Sequence, residues 1–162
     1  MKNGQSLFEI VFALGIAAII LIAMAGLATT TLRNSTFSTD NATATQLASQ
    51  ATEWLRSERD ACWTTQTDSS GIVLCTGFAT RALTTGRTWC LSTLSWPGSS
   101  GGCSSSSLVT GTNYTRSVVL TSKDADAIPG IDTVDAKVVV SWTDSQGTHD
   151  VTNQASYTDW RR

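Results

Sequence analysis

From Ile10 to Ala28 the chain runs nineteen residues without a charge or a strongly polar side chain. As a helix this run is roughly 28 Å long at about 1.5 Å per residue, close to a bilayer core of about 30 Å. A membrane-inserted helix is therefore the default reading. Lys2, ahead of the run, keeps the N-terminus cytoplasmic and sends the remainder outward. A cleaved secretory signal would show a shorter apolar core of about 7–15 residues and then a small-x-small site. Ala23-Met24-Ala25 imitates such a site, but apolar residues continue past it. One carboxylate, Glu9, stands at the front of the run.

The apolar run does not end in a helix breaker. Between Thr29 and Asp60 there is neither Pro nor Gly. Ala44, Leu47, Ala48, Ala51, Trp54 and Leu55 recur at i, i+3, i+4, i+7 spacing, with Glu53, Arg56 and Arg59 mostly off that face. The pattern predicts one helix from about Gln5 to about Ala61, roughly 85 Å long at the same rise. Its first half is apolar all round and its second half is amphipathic. Gly15 and Gly26 weaken it by about 1 kcal/mol each relative to Ala.

The amphipathic stripe needs a cover, and the rest of the chain supplies one. Residues 62–113 read as loop-rich, with the low-complexity stretch Gly98–Ser107 and short strand candidates at Ile72–Cys75 and Thr88–Leu91. Tyr114–Thr121 presents Tyr114, Val118 and Leu120 on one face, and Ala136–Trp142 presents Ala136, Val138, Val140 and Trp142. Asp144-Ser-Gln-Gly147 reads as a turn, and His149–Tyr157 as a closing strand through Val151 and Ala155. The expected class is α+β: a long N-terminal helix packed on a small antiparallel meander of about three or four strands, which needs such cover for stability.

The four cysteines, Cys62, Cys75, Cys90 and Cys103, all follow the helix, at intervals of thirteen, fifteen and thirteen. Those intervals lack the CxxC spacing of a zinc site, and an even number in an outward-facing domain reads as disulfides. Three pairings are open. Cys62–Cys75 with Cys90–Cys103 is the simplest, closing two loops of similar length, each bridge contributing about 3 kcal/mol.

Charge and side-chain chemistry point away from several functions. The net charge of the 162 residues is −2 and the basic residues are scattered, so nothing favours nucleic acid. His149 is the single histidine, and nothing places a serine and an aspartate around it, so no catalytic residue and no enzyme is expected. Asp124, Asp126, Asp132 and Asp135 cluster about Pro129-Gly130. Their spacing is not that of an EF-hand, so a solvated turn is the expectation, with no metal and no cofactor. Of the six tryptophans, Trp63 and Trp89 each flank a cysteine and read as core packed on disulfides. Trp96, beside Pro97 in a Gly/Ser loop, is a candidate for touching a partner.

Gly4-Gln5-Ser6-Leu7-Phe8-Glu9, followed by the apolar run, resembles the type IV prepilin signal. In that family a short basic leader ends in Gly, a membrane prepilin peptidase cuts after it and methylates the new N-terminus, and Glu is the fifth mature residue. The resemblance implies cleavage between Gly4 and Gln5, N-methylation of Gln5, and Glu9 as the fifth mature residue. The later Lys137-Val-Val-Val-Ser-Trp142 strand with its Gly turn, and Leu55–Arg59, are similar to the minor pilin and pseudopilin group called PilV-like. The chain departs from the family at Gln5, where many members have Phe, and at Gly26, in the region where major pilins carry Pro.

The implied organisation is a leader at 1–4, a transmembrane and filament-core half-helix at 5–28, an amphipathic half-helix at 29–61 and a disulfide-bonded β head at 62–162. A buried carboxylate near a membrane wants a partner. Cleavage would create an α-amine with a reference pKa near 8, and a helix N-terminus favours the carboxylate by roughly 0.3–1 kcal/mol. In the family the partner amine belongs to a neighbouring subunit, which sets the axial register of a helical bundle. The implied protein is a minor pilin that begins as a single-pass membrane protein and ends in a surface filament. Its partners are other pilin subunits, the peptidase, the membrane and the pilus assembly machinery. Two alternatives stand beside it: a pseudopilin of a type II secretion system, and a single-pass anchored ectodomain that binds a ligand and joins no filament.

Overall fold

The computed structural model describes residues 3–104, 106–123 and 133–159, with the backbone alone for residues 3–6. The chain falls into two units, Met1–Asn41 and Ala42–Arg162. Helix α1 runs Asn3–Ala61, ending where the sequence predicts and starting two residues earlier.

The described residues of the first unit are helix alone. Its second part is dense in hydroxyls, which compete with helical backbone bonding. Here they are absorbed locally. Thr29 Oγ1 donates to Gly26 O (2.9 Å), Thr31 Oγ1 to Leu27 O (2.9 Å), Thr36 Oγ1 to Leu32 O (3.1 Å) and Thr39 Oγ1 to Ser35 O (3.0 Å).

In the second unit the remainder of α1 packs on an antiparallel sheet of order β3-β4-β5-β6. The strands are β3 (Arg87–Cys90), β4 (Thr115–Lys123), β5 (Thr133–Asp144) and β6 (Gly147–Thr158). The strip of α1 against the sheet is Ala44, Ala48, Ala51 and Leu55, each at most 1% exposed. Three alanines let the helix axis come close to the strands, and Leu47 and Trp54 flank the strip half-buried. The facing side of the sheet carries Val118 and Leu120 of β4 and Val134, Ala136, Val138, Val140 and Trp142 of β5. Fully burying one such Val or Leu is worth about 1.5–3 kcal/mol, so this two-layer core holds the unit together. The expected class and the strand faces are as the alternation predicts.

The β5–β6 hairpin closes over Ser145-Gln146, with Asp144 opposite Gly147. Asp144 Oδ1 accepts the Gln146 N–H (2.7 Å), and Gly147 takes φ +130°, a conformation that favours glycine. Between α1 and β3 lies a small two-stranded sheet, β1 (Gln66–Thr67) with β2 (Val73–Cys75). The sequence pattern predicts the second of these strands; the first, two residues long, is below the length at which alternation is readable. The disulfides are Cys62–Cys75 and Cys90–Cys103, the sequential pairing of the three.

The segment after β2 crosses back beneath the end of α1. Phe78 N donates to Cys62 O (2.7 Å), Ala79 N to Trp63 O (3.0 Å) and Gly77 N to Thr65 Oγ1 (2.9 Å). Gly77 sits so close to the Thr64–Thr65 backbone that a Cβ there would stand 2.6 Å from the Thr64 carbonyl carbon. Phe78 thereby reaches the core, at 1% exposed.

Candidate functional site

Between Ile10 and Ala28 the N-terminal unit presents an apolar surface on every side. From Leu7 to Leu27 the large apolar side chains are exposed, between 46% at Ile16 and 74% at Phe8 and Ile22. No stripe is covered, so this is not the buried core helix of a soluble domain. Among the described residues α1 is the one helix long and apolar enough to span a membrane. Glu9 lies on it, exposed, as its seventh residue. Gly4 and Gln5 lie in its first turn. The helix-terminus field fades within one turn, so in the uncleaved chain it does not reach Glu9. None of the ion pairs among the described residues takes in Glu9.

In the second unit the tryptophans gather around the end of α1. Trp96 is half-buried, and its ring lies 4.9 Å from Trp54, 5.5 Å from Trp89 and 6.4 Å from Phe78. Its indole N–H donates to Glu58 Oε2 (2.6 Å), and the Arg81 guanidinium lies over its ring at 4.3 Å. Trp96, the candidate for touching a partner, is thus half-buried and not exposed: its neighbours in the loop are polar, but its ring finds an aromatic pocket contributed by residues distant in sequence. Trp63 and Trp89 are buried, as expected of residues beside disulfides. Burial holds the Arg81 pKa below its ordinary value, with the Glu58 charge opposing the shift.

Two polar features escape the hydrophobic pattern. Arg116 is 2% exposed, on the inward face of β4 between Tyr114 and Val118. Its Nε donates to Leu91 O (3.2 Å) and an Nη to Leu47 O (3.4 Å), so one side chain ties strand, loop and helix. Burial lowers its pKa. Strict alternation from Tyr114 would have placed it inward. The second feature joins α1 to β6: Asn153 Nδ2 donates to Thr52 Oγ1 (3.1 Å) and Tyr157 OH to Thr52 O (2.9 Å). Burial pushes the Tyr157 pKa up to about 12.

His149 stacks on Trp142 at 5.4 Å and meets Asp144 Oδ1 at 3.1 Å, at the tip of the β5–β6 hairpin. The Gln146 N–H, first, and His149 hold the Asp144 carboxyl below its usual range. Gly98-Ser-Ser-Gly-Gly102 spells Gly-x-Ser-x-Gly, but that motif works at a strand-to-helix turn. Here it lies in a loop with Ser100 exposed, and no helix follows among the described residues. Of the acidic cluster, Asp124, Asp126 and Asp132 lie outside the described residues. Asp135 is in β5, paired with Lys123 Nζ at 2.5 Å and accepting the Ser156 hydroxyl at 2.8 Å. Among the described residues no three His, Cys, Asp or Glu side chains form a metal-binding group. No protein-family model, no curated protein and no solved structure matches the chain.

Proposed function

We propose that this chain is a structural subunit of a type IV pilus-like filament, a minor pilin. One observation carries the reading: the string Gly4-Gln5-Ser6-Leu7-Phe8-Glu9 leads directly into a helix that is apolar on all sides and bears a single carboxylate at its start. The helix-on-sheet head is compatible with that reading. In this account the chain is inserted through residues 5–28, loses residues 1–4 to a prepilin peptidase and is methylated at Gln5. The assembly machinery then draws it into a filament on the cell surface. The apolar surface that lipid covers in the membrane is covered in the filament by neighbouring helices. Glu9 leaves water and meets the α-amine of an adjacent subunit, a pairing that offsets the cost of burying either charge alone.

The test has two arms. The N-terminal peptide of the protein from its native membrane should begin at Gln5. Glu9→Ala should still insert but be missing from sheared filaments, a loss of tenfold or more. Filaments that take up Glu9→Ala as well as the parent would sink the assembly role of Glu9, and absence of the parent chain itself from filaments would leave the anchored-ectodomain reading. A pseudopilin of a secretion system would behave alike in both arms, and is separated by measuring whether deletion of the chain halts export of other proteins.

A further inference from the structure

One stretch of the second unit leaves large aliphatic side chains uncovered side by side. Ile72, Val73 and Leu74 are consecutive and 63%, 54% and 66% exposed. The other exposed large aliphatics described in this unit, Leu83, Leu94 and Leu108, are isolated in sequence. A run of three is a liability that soluble surfaces avoid unless it has a use. The run is also held in shape. Asp68 Oδ1 accepts the N–H groups of Ser70 and Ile72, both at 2.8 Å, Asp68 N donates to Ile72 O (2.9 Å), and Gly71 takes φ +81°. At the base of the hairpin Cys75 is bridged to Cys62, the residue that follows α1. The bridge fixes one face of β2 toward the end of α1, and alternation sets Leu74 on the other. A surface ordered in advance loses little freedom on contact. Gln66, Thr67, Ser69 and Ser70 around it are uncharged, and the carboxylate of Asp68 is turned onto its own backbone.

We propose that this hairpin is the contact between two copies of the chain in one membrane, Ile72 and Leu74 of one copy packing on those of the other. The size of the patch selects the kind of partner. Three side chains offer an area on the order of 300 Å², against about 800 Å² per partner in a stable free complex. That is too little to hold a partner from solution, and it suffices where another part of the chain already keeps the partner close. Helix α1, long and apolar enough to span a membrane, is that other part. Charge selects the identity. A patch without a charged rim has nothing with which to choose a different protein by electrostatic complementarity. A second copy brings the same apolar hairpin and is inserted in the same direction. The pair is isologous, with its two-fold axis along the membrane normal, so α1 runs the same way in both copies. The proposal rests on α1 anchoring the chain and is independent of whether the chain later joins a filament.

The test uses the full chain, expressed alone and kept in its membrane. Every native cysteine is in a disulfide, so an introduced thiol is the one free. Ser70→Cys places it in the turn beside the aliphatic run, and Thr152→Cys places it on the exposed side of β6. With a short bismaleimide, Ser70→Cys should give at least tenfold more cross-linked dimer than Thr152→Cys. Adding Ile72→Ser with Leu74→Ser should remove that excess. Ser69→Lys, which keeps all three aliphatics and sets like charges together across the pair, should reduce it too. Leu94→Ser should leave it unchanged. All these side chains are exposed, and thermal unfolding that matches the parent checks each fold. Dilution into excess detergent micelles, which removes the tether, should abolish the dimer. No dimer at position 70, equal dimer at 70 and 152, or a dimer that survives the two serines or the dilution would each overturn the proposal. So would a product joined to another protein in place of the dimer. Release of the parent chain from the membrane by an alkaline wash would sink the anchoring itself, and the proposal with it.

Discussion

Gly77→Ala offers a sharp test of how the head is built, because the same substitution elsewhere in the chain should act in the opposite direction. At Gly77 the new Cβ meets the Thr64 carbonyl carbon at 2.6 Å and its Cα at 2.8 Å, with Thr65 N nearer still. These are backbone atoms, held by the Phe78 N–H on Cys62 O and the Ala79 N–H on Trp63 O, so no side chain can swing aside. Overpacking of this kind costs about 1–3 kcal/mol, and a rigid backbone neighbour places it at the upper end. Replacing Gly also narrows the unfolded ensemble, which returns about 0.4–1 kcal/mol. The net is a loss of about 2 kcal/mol, and at about 2–4 °C per kcal/mol for a chain of this length Tm should fall by about 4–8 °C. At Gly98, where nothing lies within 4 Å and φ is not positive, the unfolded-state effect acts alone. Gly98→Ala should therefore raise Tm by about 1–4 °C. Thermal unfolding of both variants, in the same detergent and followed by tryptophan fluorescence, reads the signs directly. A Gly77→Ala protein that melts with or above the parent would refute the close crossing beneath α1.

Two other perturbations probe the polar parts of the core. Arg116→Ala should cost about 3 kcal/mol, since it opens a cavity and strips donors from Leu91 O and Leu47 O. Arg116→Met, which keeps most of the volume and removes a desolvated charge, should recover most of that loss; equal denaturation midpoints for the two variants would count against this account. Tyr157 keeps its proton until pH about 12 in the folded chain. A raised pKa means that its contribution is complete below the ordinary tyrosine pKa of about 10 and is lost as pH rises from there through 12. Stability of the parent should fall across that interval while Tyr157→Phe falls less, and near-ultraviolet absorbance should show a late tyrosinate step that the variant lacks. A parent and variant with parallel alkaline profiles would contradict it.

Most of the architecture was legible because it rests on periodicities. The end of α1 at Ala61 follows from an unbroken stretch without Gly or Pro meeting a loop-rich segment, and Ala44, Ala48, Ala51 and Leu55 mark the packed stripe by spacing alone. The inward faces of β4 and β5 follow from alternation, and the hairpin between β5 and β6 from Asp144 and Gly147. The candidate site was legible for the same reason: an apolar run with one carboxylate is a local pattern.

Where chemistry depends on partners remote in sequence, the pattern was silent. Alternation puts Arg116 on the inward side of β4, but its acceptors are known only when Leu47 O and Leu91 O converge on it, and Trp96 reads as a loop residue until Trp54, Phe78, Trp89 and Arg81 close around it. Thr52 becomes a joint only because Asn153 and Tyr157 arrive from β6. Local spacing thus determined which segments are helix and strand and which face is apolar, because those choices are settled within a few residues by sterics and solvation. The tertiary structure decided which cysteines pair and which polar groups are buried with partners, because each of those depends on residues that only folding brings within bonding distance.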